Sequence, residues 1–368
     1  MFTLRRGVAV VAAMLLALSA AACDSSDDGS GSSDGSGSGA KIALLLPESQ
    51  TTRYEQFDKP LFEAKVKALC SGCSVIYDNA NQQSDAQQQD AEAALKAGAK
   101  VLVLDPVDGE AASSIVATAA AKKVPVISYD RLVTGADVDY YVSFDNFKVG
   151  ALQATALVEK LKKDGKTSGT IVMINGGPTD NNAKLFNKGA HSVLDGSGFI
   201  LSPKPDYFTP GWKPENAQTE MDSLISRLGK TGFVGVYAAN DGTAGGTIAA
   251  MKAAGVSPIP PITGQDAELA AIQRIVSGDQ YMTVYKAIKP EAEKAAELAV
   301  DLARGKTPSP APSATTNNGK KNVPSILLTP VVVTKETIKN TVVADSFYTT
   351  AQICTADYLA ACKAADLQ

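Results

Sequence analysis

From Lys41 onward, short aliphatic and β-branched runs alternate with longer stretches whose apolar residues recur every three or four positions. The runs at 42–46, 75–77, 101–104 and 124–128 predict strands, and the stretches at 53–69, 84–97 and 109–122 predict the helices between them. Several runs are apolar at consecutive positions, as in a parallel sheet covered on both faces. After a strand at 140–144 a second series begins. Its strands are at 171–174, 199–201, 234–238 and 262–264, and its helices at 146–162, 182–194, 214–228, 243–254 and 267–277. A strand at 282–285, a helix at 290–304, a Pro/Ser/Thr-rich stretch at 307–316 and a late strand pair at 325–328 and 331–334 complete the body. The pattern predicts an α/β protein of two Rossmann-like, doubly wound lobes. In open parallel sheets the loops at the strands' carboxyl ends form the ligand crevice, so two facing sheets make a cleft lined from both sides.

The first 40 residues do not share this pattern. Arg5 and Arg6, an apolar run at 8–18 and Ala20-Ala21-Ala22 before Cys23 form a secretory signal. The apolar run spans roughly 16 Å as a helix, against a bilayer core of about 30 Å, too short for a comfortable anchor. Small residues before a cysteine resemble a bacterial lipobox, with lipidated Cys23 as the mature N-terminus, although Ala20 stands where that motif usually has Leu. Residues 24–39 contain only Asp, Ser and Gly, a flexible tether with a reach of about 20–24 Å. The G-x-S-x-G match at 31–35 lies in this tether, without the strand and helix that a nucleophile elbow needs.

Composition narrows the function. A chain of 368 residues with a formal charge of −4 has room for about two domains and lacks the basic surface of a nucleic-acid binder. His191 is the sole histidine, so a His-rich metal site cannot form within one chain, and a Ser-His-Asp triad would have to use that residue. None of the Gly-Lys dipeptides at 165, 229, 305 and 319 has glycine five residues upstream, so there is no P-loop. Four cysteines besides Cys23 fall into two local pairs, and outside the cytoplasm the favoured connectivity is Cys70–Cys73 and Cys354–Cys362. Cys70-Ser-Gly-Cys73 follows a helix rather than opening one, which favours a structural bridge over a redox pair.

Polar clusters follow the predicted strands: Arg53-Tyr54, Asp130-Arg131, Phe144-Asp145-Asn146, Asp180-Asn181-Asn182, Asn240-Asp241 and Gln265-Asp266, with Trp212 and Lys286 besides. This inventory suits a neutral polyol. Sugar hydroxyls both donate and accept, so carboxylates, amides and cations serve them, while the apolar ring face wants an aromatic plate such as Trp212 or Tyr54.

The stretches SYDRLVTGADVDYYVSFDNFKVGALQATALVEKL, GGPTDNNAKLFNKG, GWKPENA, ANDGTAGG, GQDAELAAIQRI, MTVYK and NNGKKNVPSILLTPV resemble the periplasmic sugar-binding proteins of ABC transporters, the xylose-binding members above all. The resemblance covers about residues 41–345. It implies the type I periplasmic-binding-protein fold, with three hinge crossings between lobes at 41–145 plus 287–324 and at 146–286 plus 325–345. It implies no catalysis, no cofactor and no metal. The expected ligand is one aldose, xylose ahead of glucose, and the expected partner is an ABC importer permease. A monomer is expected, held outside the cytoplasm at the outer face of the cell membrane by lipid alone, without nucleic acid.

Carried over by residue, the resemblance assigns sugar contacts to Arg53, Asp130 and Arg131 from the first lobe. Asp180, Asn182, Trp212, Asn240 and Asp266 serve from the second, with Lys286 near the return crossing and Trp212 stacked on the ring. Tyr54 stands where the xylose binders have tryptophan, and the loop 47–52 differs too, which leaves pentose and hexose both open. The tail from Ser346, with Cys354 and Cys362, lies outside the resemblance.

Other roles compete at several positions. Asp180 or Asn181 is expected to cap the helix while Asn182 points inward, and Asp241 to cap its own helix. Asp145 and Asn146 suit a hinge or helix start, and His191 a structural or exposed position. The rival functions are an exported glycosidase, with a pair such as Asp130 and Asp266, and a sugar sensor's binding subunit.

Overall fold

The computed structural model describes residues 39–309 and 311–367. The predicted signal, Cys23 and the tether through residue 38 lie outside the described residues. The first lobe is built from β1 (Lys41–Leu46), α1 (Lys59–Leu69), β2 (Ser74–Asn79), α2 (Ser84–Lys96), β3 (Ala99–Leu104), α3 (Ser113–Ala121), β4 (Val126–Tyr129) and β5 (Tyr140–Phe144). The second contains α4 (Asn146–Lys163), β6 (Thr170–Asn175), α5 (Asn181–Leu194), β7 (Ile200–Phe208), α6 (Pro214–Leu228), β8 (Gly235–Ala238), α7 (Asp241–Ala254), α8 (Leu269–Ser277) and β9 (Met282–Tyr285). The chain then returns through α9 (Ile288–Ala303), β10 (Ala314–Asn317) and β11 (Asn322–Leu328) to the first lobe. It crosses again to β12 (Val331–Thr334) and ends in α10 (Thr350–Ile353) and α11 (Leu359–Ala364).

Both sheets carry the same doubly wound order. The first runs β10-β11-β5-β4-β3-β1-β2, parallel except for the β10 edge. The second has β7-β6-β8 in parallel, continued by parallel bridges from Val236 to Ile262 and from Gln265 to Val284, with β12 antiparallel to β9. Side chains alternate between faces with the strand period of two. Ala43 and Leu45 join the core under α2 and α3, while Ile42, Leu44 and Leu46 join that under α1 and α9. In the second lobe Ile171 and Met173 pack with Leu157 and Phe186, whereas Val172 and Ile174 pack with Met221 and Ile248. Burying both faces of each strand holds the carboxyl ends in register, and those ends carry the site.

Four expectations need correction. The run at 262–264 makes only single bridges and is not a full strand. The strand expected at 199–201 is the much longer β7, which tolerates Pro203 and Pro205 because it lies at a sheet edge and needs few donors. Within the Pro/Ser/Thr-rich stretch, β10 forms an antiparallel edge. The segments at 325–328 and 331–334 are strands but not a pair: β11 runs parallel to β5, whereas β12 pairs with β9. The stretch 325–328 therefore belongs to the first sheet, and the third crossing falls at Thr329-Pro330, beside the first, where the Asp145 N–H donates to the Leu328 carbonyl at 3.1 Å.

The cysteines pair as expected, Cys70 with Cys73 and Cys354 with Cys362. No described helix is long and apolar enough to cross a membrane.

Candidate functional site

The site begins where the first sheet reverses its strand order, between β1 and β3. Glu48 follows β1 and Asp105 follows β3, and both are fully buried. Downstream of Glu48 the chain makes a π-helical turn over Tyr54–Asp58 before α1, a rare geometry that recurs at functional sites. Arg53 opens this turn. Its Nε and Nη2 donate to the two Asp58 carboxylate oxygens at 2.9 and 2.7 Å, and Nη2 also donates to Glu291 Oε2 at 2.6 Å. Its Nη1 lies 3.2 Å from Asp130 Oδ2 and has no hydrogen-bond partner, although it is buried.

Asp130 directly follows β4 at φ 50°, a left-handed conformation that Asp accepts more readily than most residues. That backbone turns its carbonyl toward the Tyr141, Ser143 and Asn182 side chains, which donate to it at 3.0, 2.7 and 3.0 Å. Its Oδ1 accepts from Lys286 Nζ at 3.0 Å. Burial alone would raise the Asp130 carboxyl, but the Arg53 and Lys286 cations overcome it and hold the group well below the usual carboxylate range. Burial disfavours the Lys286 ammonium, yet the Asp130, Asp266 and Glu291 carboxylates together outweigh it and raise its pKa. Burial leaves the Asp180 and Asp266 carboxyls raised. Glu291, buried among carboxylates, is pushed up to about 8.

Arg131 joins the two walls. Its Nη2 donates to the Tyr54 hydroxyl at 3.1 Å, and its Nε lies 3.2 Å from Asp180 Oδ2 in the second lobe. The Tyr54 ring lies near both guanidinium groups, 5.3 Å from Arg53 and 5.8 Å from Arg131. Tyr54 thus neighbours both arginines as well as facing the cavity. Asp180 caps α5 by accepting from the Asn182 N–H, and its Oδ2 accepts from Trp212 Nε1 at 3.1 Å. Asn182 points inward, where its Oδ1 accepts from Asn146 at 2.8 Å. Trp212 lies against Gly176 and Gly177, where an added Cβ would come within 1.9 and 2.9 Å of indole atoms. The two glycines thus give the indole room to lie against the backbone, with Phe186 edge-on at 6.3 Å.

The ten residues expected to bind sugar line one cavity: Arg53, Tyr54, Asp130, Arg131, Asp180, Asn182, Trp212, Asn240, Asp266 and Lys286. Thr51 and Phe186, which sequence reasoning missed, and Gln265, noted in a strand-end cluster but given no sugar contact, complete the lining. The space between these side chains is about 280 Å³, open solvent at its mouth included. The lobes are shut around it. Besides Arg131–Asp180 and Lys286–Asp130, Gln82 donates to the Gly211 carbonyl at 2.9 Å and the Gly109 N–H to the Thr179 carbonyl at 3.1 Å.

Asn240, not Asp241, caps α7, through a capping box with Thr243. Asp241 instead clasps three segments, accepting from Gln280, Thr283 and the Glu268 N–H at 2.7, 2.9 and 2.9 Å. Asp145 caps α4. His191 sits apart on α5 between Asp195 and Asp206, at 2.8 and 2.7 Å. Among the described residues, no group of three or more His, Cys, Asp or Glu side chains is placed to hold a metal ion.

Comparison with known proteins fits this geometry. Residues 42–307 match the periplasmic binding protein domain family. The chain belongs to that family. It is 40% identical over 312 residues to the D-xylose-binding periplasmic protein of Escherichia coli, covering 84% of this chain and 91% of that one. It is 42% identical over 313 residues to the D-xylose-binding periplasmic protein of Haemophilus influenzae, covering 84% and 90%. A crystal structure of an ABC transporter solute-binding protein from Clostridium phytofermentans with bound β-D-glucose superposes at a TM-score of 0.79. It is 29% identical and covers 85% of this chain and 99% of that one. These relatives are binding proteins, not enzymes, which removes the glycosidase alternative. Asp130, held ionised between two cations, is also poorly suited to donate a proton.

Proposed function

We propose that this chain is an extracytoplasmic solute-binding protein that captures one aldose by lobe closure, D-xylose first and D-glucose second, and delivers it to an ABC importer. The observation that carries the reading is the shut, polar cavity with Arg53 Nη1 buried on its wall, near the Asp130 carboxylate but without a hydrogen-bond partner. A ligand oxygen satisfies that donor, and a buried donor left unmade is costly. Asp130 and Asp266 supply acceptors, Lys286, Arg131 and the Asn240 amide NH2 supply donors, and Trp212 supplies the apolar face. The xylose- and glucose-binding relatives support the same sugars. The contacts come from both lobes, so closing on sugar gains interactions that an open form cannot make, which is what ligand-driven closure requires.

The test is calorimetry with D-xylose, D-glucose, L-arabinose, D-ribose and D-galactose, alongside fluorescence from the sole tryptophan. We expect 1:1 heats with xylose or glucose and a change in Trp212 emission at the same midpoint. Absence of heat with every aldose, with heat from an amino acid instead, would reject the proposal.

Anchoring is tested separately. If Cys23 is acylated, Cys23→Ser moves the protein to the medium or leaves an unprocessed precursor; unchanged partition into membranes removes the anchor.

A further inference from the structure

The chain beyond the family match at 307 ends in a segment with its own disulfide. Ile353 and Cys362 pack with Ile272, Ile275 and Val276 of α8, and Gln273 donates to the carbonyls of Gln352 and Ile353 at 3.3 Å. The tail is thereby fixed to the second lobe. At its start, Phe347 and Tyr348 turn toward the first lobe. Phe57 stacks on Phe347 with ring centroids 4.3 Å apart and meets Tyr348 edge-on at 5.8 Å, while Tyr285 lies 5.1 Å from Phe347. Among the described residues, Phe57 is the one first-lobe side chain in this cluster apart from the crossing residue Ala287. Phe57 belongs to the π-helical turn that follows Arg53, and Tyr285 directly precedes Lys286.

We infer that the C-terminal tail is an interlobe latch, in which Phe347 and Tyr348 grip Phe57 when the cleft shuts and so set how readily the sugar site closes and reopens. The contact needs no ligand, because both partners belong to the chain. It therefore stabilises the closed form whether or not sugar is present. If the free protein is mainly open, weakening the latch lowers apparent affinity; if mainly closed, it opens the free protein.

The test uses the mature protein with Phe57→Ala, Phe347→Ala and the pair together, read by small-angle scattering without sugar and by D-xylose titration. We expect each single change to enlarge the sugar-free radius of gyration or to weaken affinity about 3- to 10-fold through faster release. We expect the double variant to be no worse than the more affected single one, since both remove one contact. Unchanged scattering and affinity in Phe57→Ala overturn the latch, as do losses that multiply in the double variant. Phe57 belongs to no other apolar cluster, so its substitution decides the matter even if Phe347→Ala unfolds the tail. The titration rests on the sugar-binding reading, whereas sugar-free scattering does not. A wild type that binds no aldose therefore fails that reading alone.

Discussion

Arg131→Ala is expected to weaken aldose binding about 30- to 1000-fold, roughly 2–4 kcal/mol. Two losses combine. The sugar loses a charge-assisted donor, and the lobes lose the contact from Nε to Asp180 Oδ2 at 3.2 Å. Behind Arg131, Glu48 Oε1 lies at 3.5 Å and Asp105 Oδ1 at 3.7 Å. Those oxygens have no hydrogen-bond partner, so the guanidinium is their near compensation. Alanine leaves them buried beside no cation, and the sugar-free protein should melt earlier as well. Arg131→Lys keeps the charge but not the fork, so it should restore more of the stability than of the affinity. Calorimetry paired with thermal unfolding separates the two effects. An alanine variant binding within about threefold of wild type would mean that Arg131 only supports the wall.

The contrast between Arg131 and its carboxylates marks how far the sequence can be read. Asp130-Arg131, Asp180-Asn182 and Asp266 were legible because each follows an apolar run, and strand ends are where doubly wound sheets place ligands. Glu48 and Asp105 stand at similar positions, after β1 and β3, but single acids among loop residues carry no pattern. Asp58 was hidden by the π-helical turn, which no apolar period announces. Glu291 reads as one of several glutamates in a charged helix. Its signal is its register, on the same stripe as Ala295 and Leu298, which are buried. A glutamate on an apolar stripe implies a buried cation opposite, here Arg53 from the far end of the lobe. The fold was legible for the same reason that the strand ends were, through alternation that both sheets obey. It failed where that signal weakens: at the prolines of β7, at the threonines of β10, and in the pairing of β11 and β12. Pairing is a long-range choice that neighbouring residues do not reveal.

Arg53→Leu should be the most damaging single change to stability, and its cost should depend on pH. Arg53 meets Asp58, Asp130 and Glu291, all fully or nearly buried. Removing one partner from such a cluster costs about 3–5 kcal/mol, because uncompensated charge stays behind. In the wild type Glu291 is already raised to about 8, burial being the largest cause, with Arg53 pulling it down. A carboxyl raised in the folded state holds a proton there that the unfolded chain has released. Between about pH 4.3 and the folded value, its contribution to stability therefore declines as pH rises. Glu268, at about 8, and Asp241, at about 7, act with the same sign. Asp130 acts oppositely: its lowered pKa contributes stability above the ordinary Asp range that is lost on acidification. In Arg53→Leu, Asp130 loses one of the cations that hold it down and Glu291 loses its main one. Both become easier to protonate in the folded state. The deficit against wild type should therefore be smallest at pH 5 and grow as pH passes about 8, where Glu291 ionises beside the wild-type guanidinium but not in the variant. Thermal unfolding of both proteins at pH 5, 7 and 8.5 reads this directly, with a loss of roughly 5–15 °C expected at neutral pH. A deficit that stays constant across that range would show that Arg53 holds the wall by packing, with the carboxylates around it compensated elsewhere.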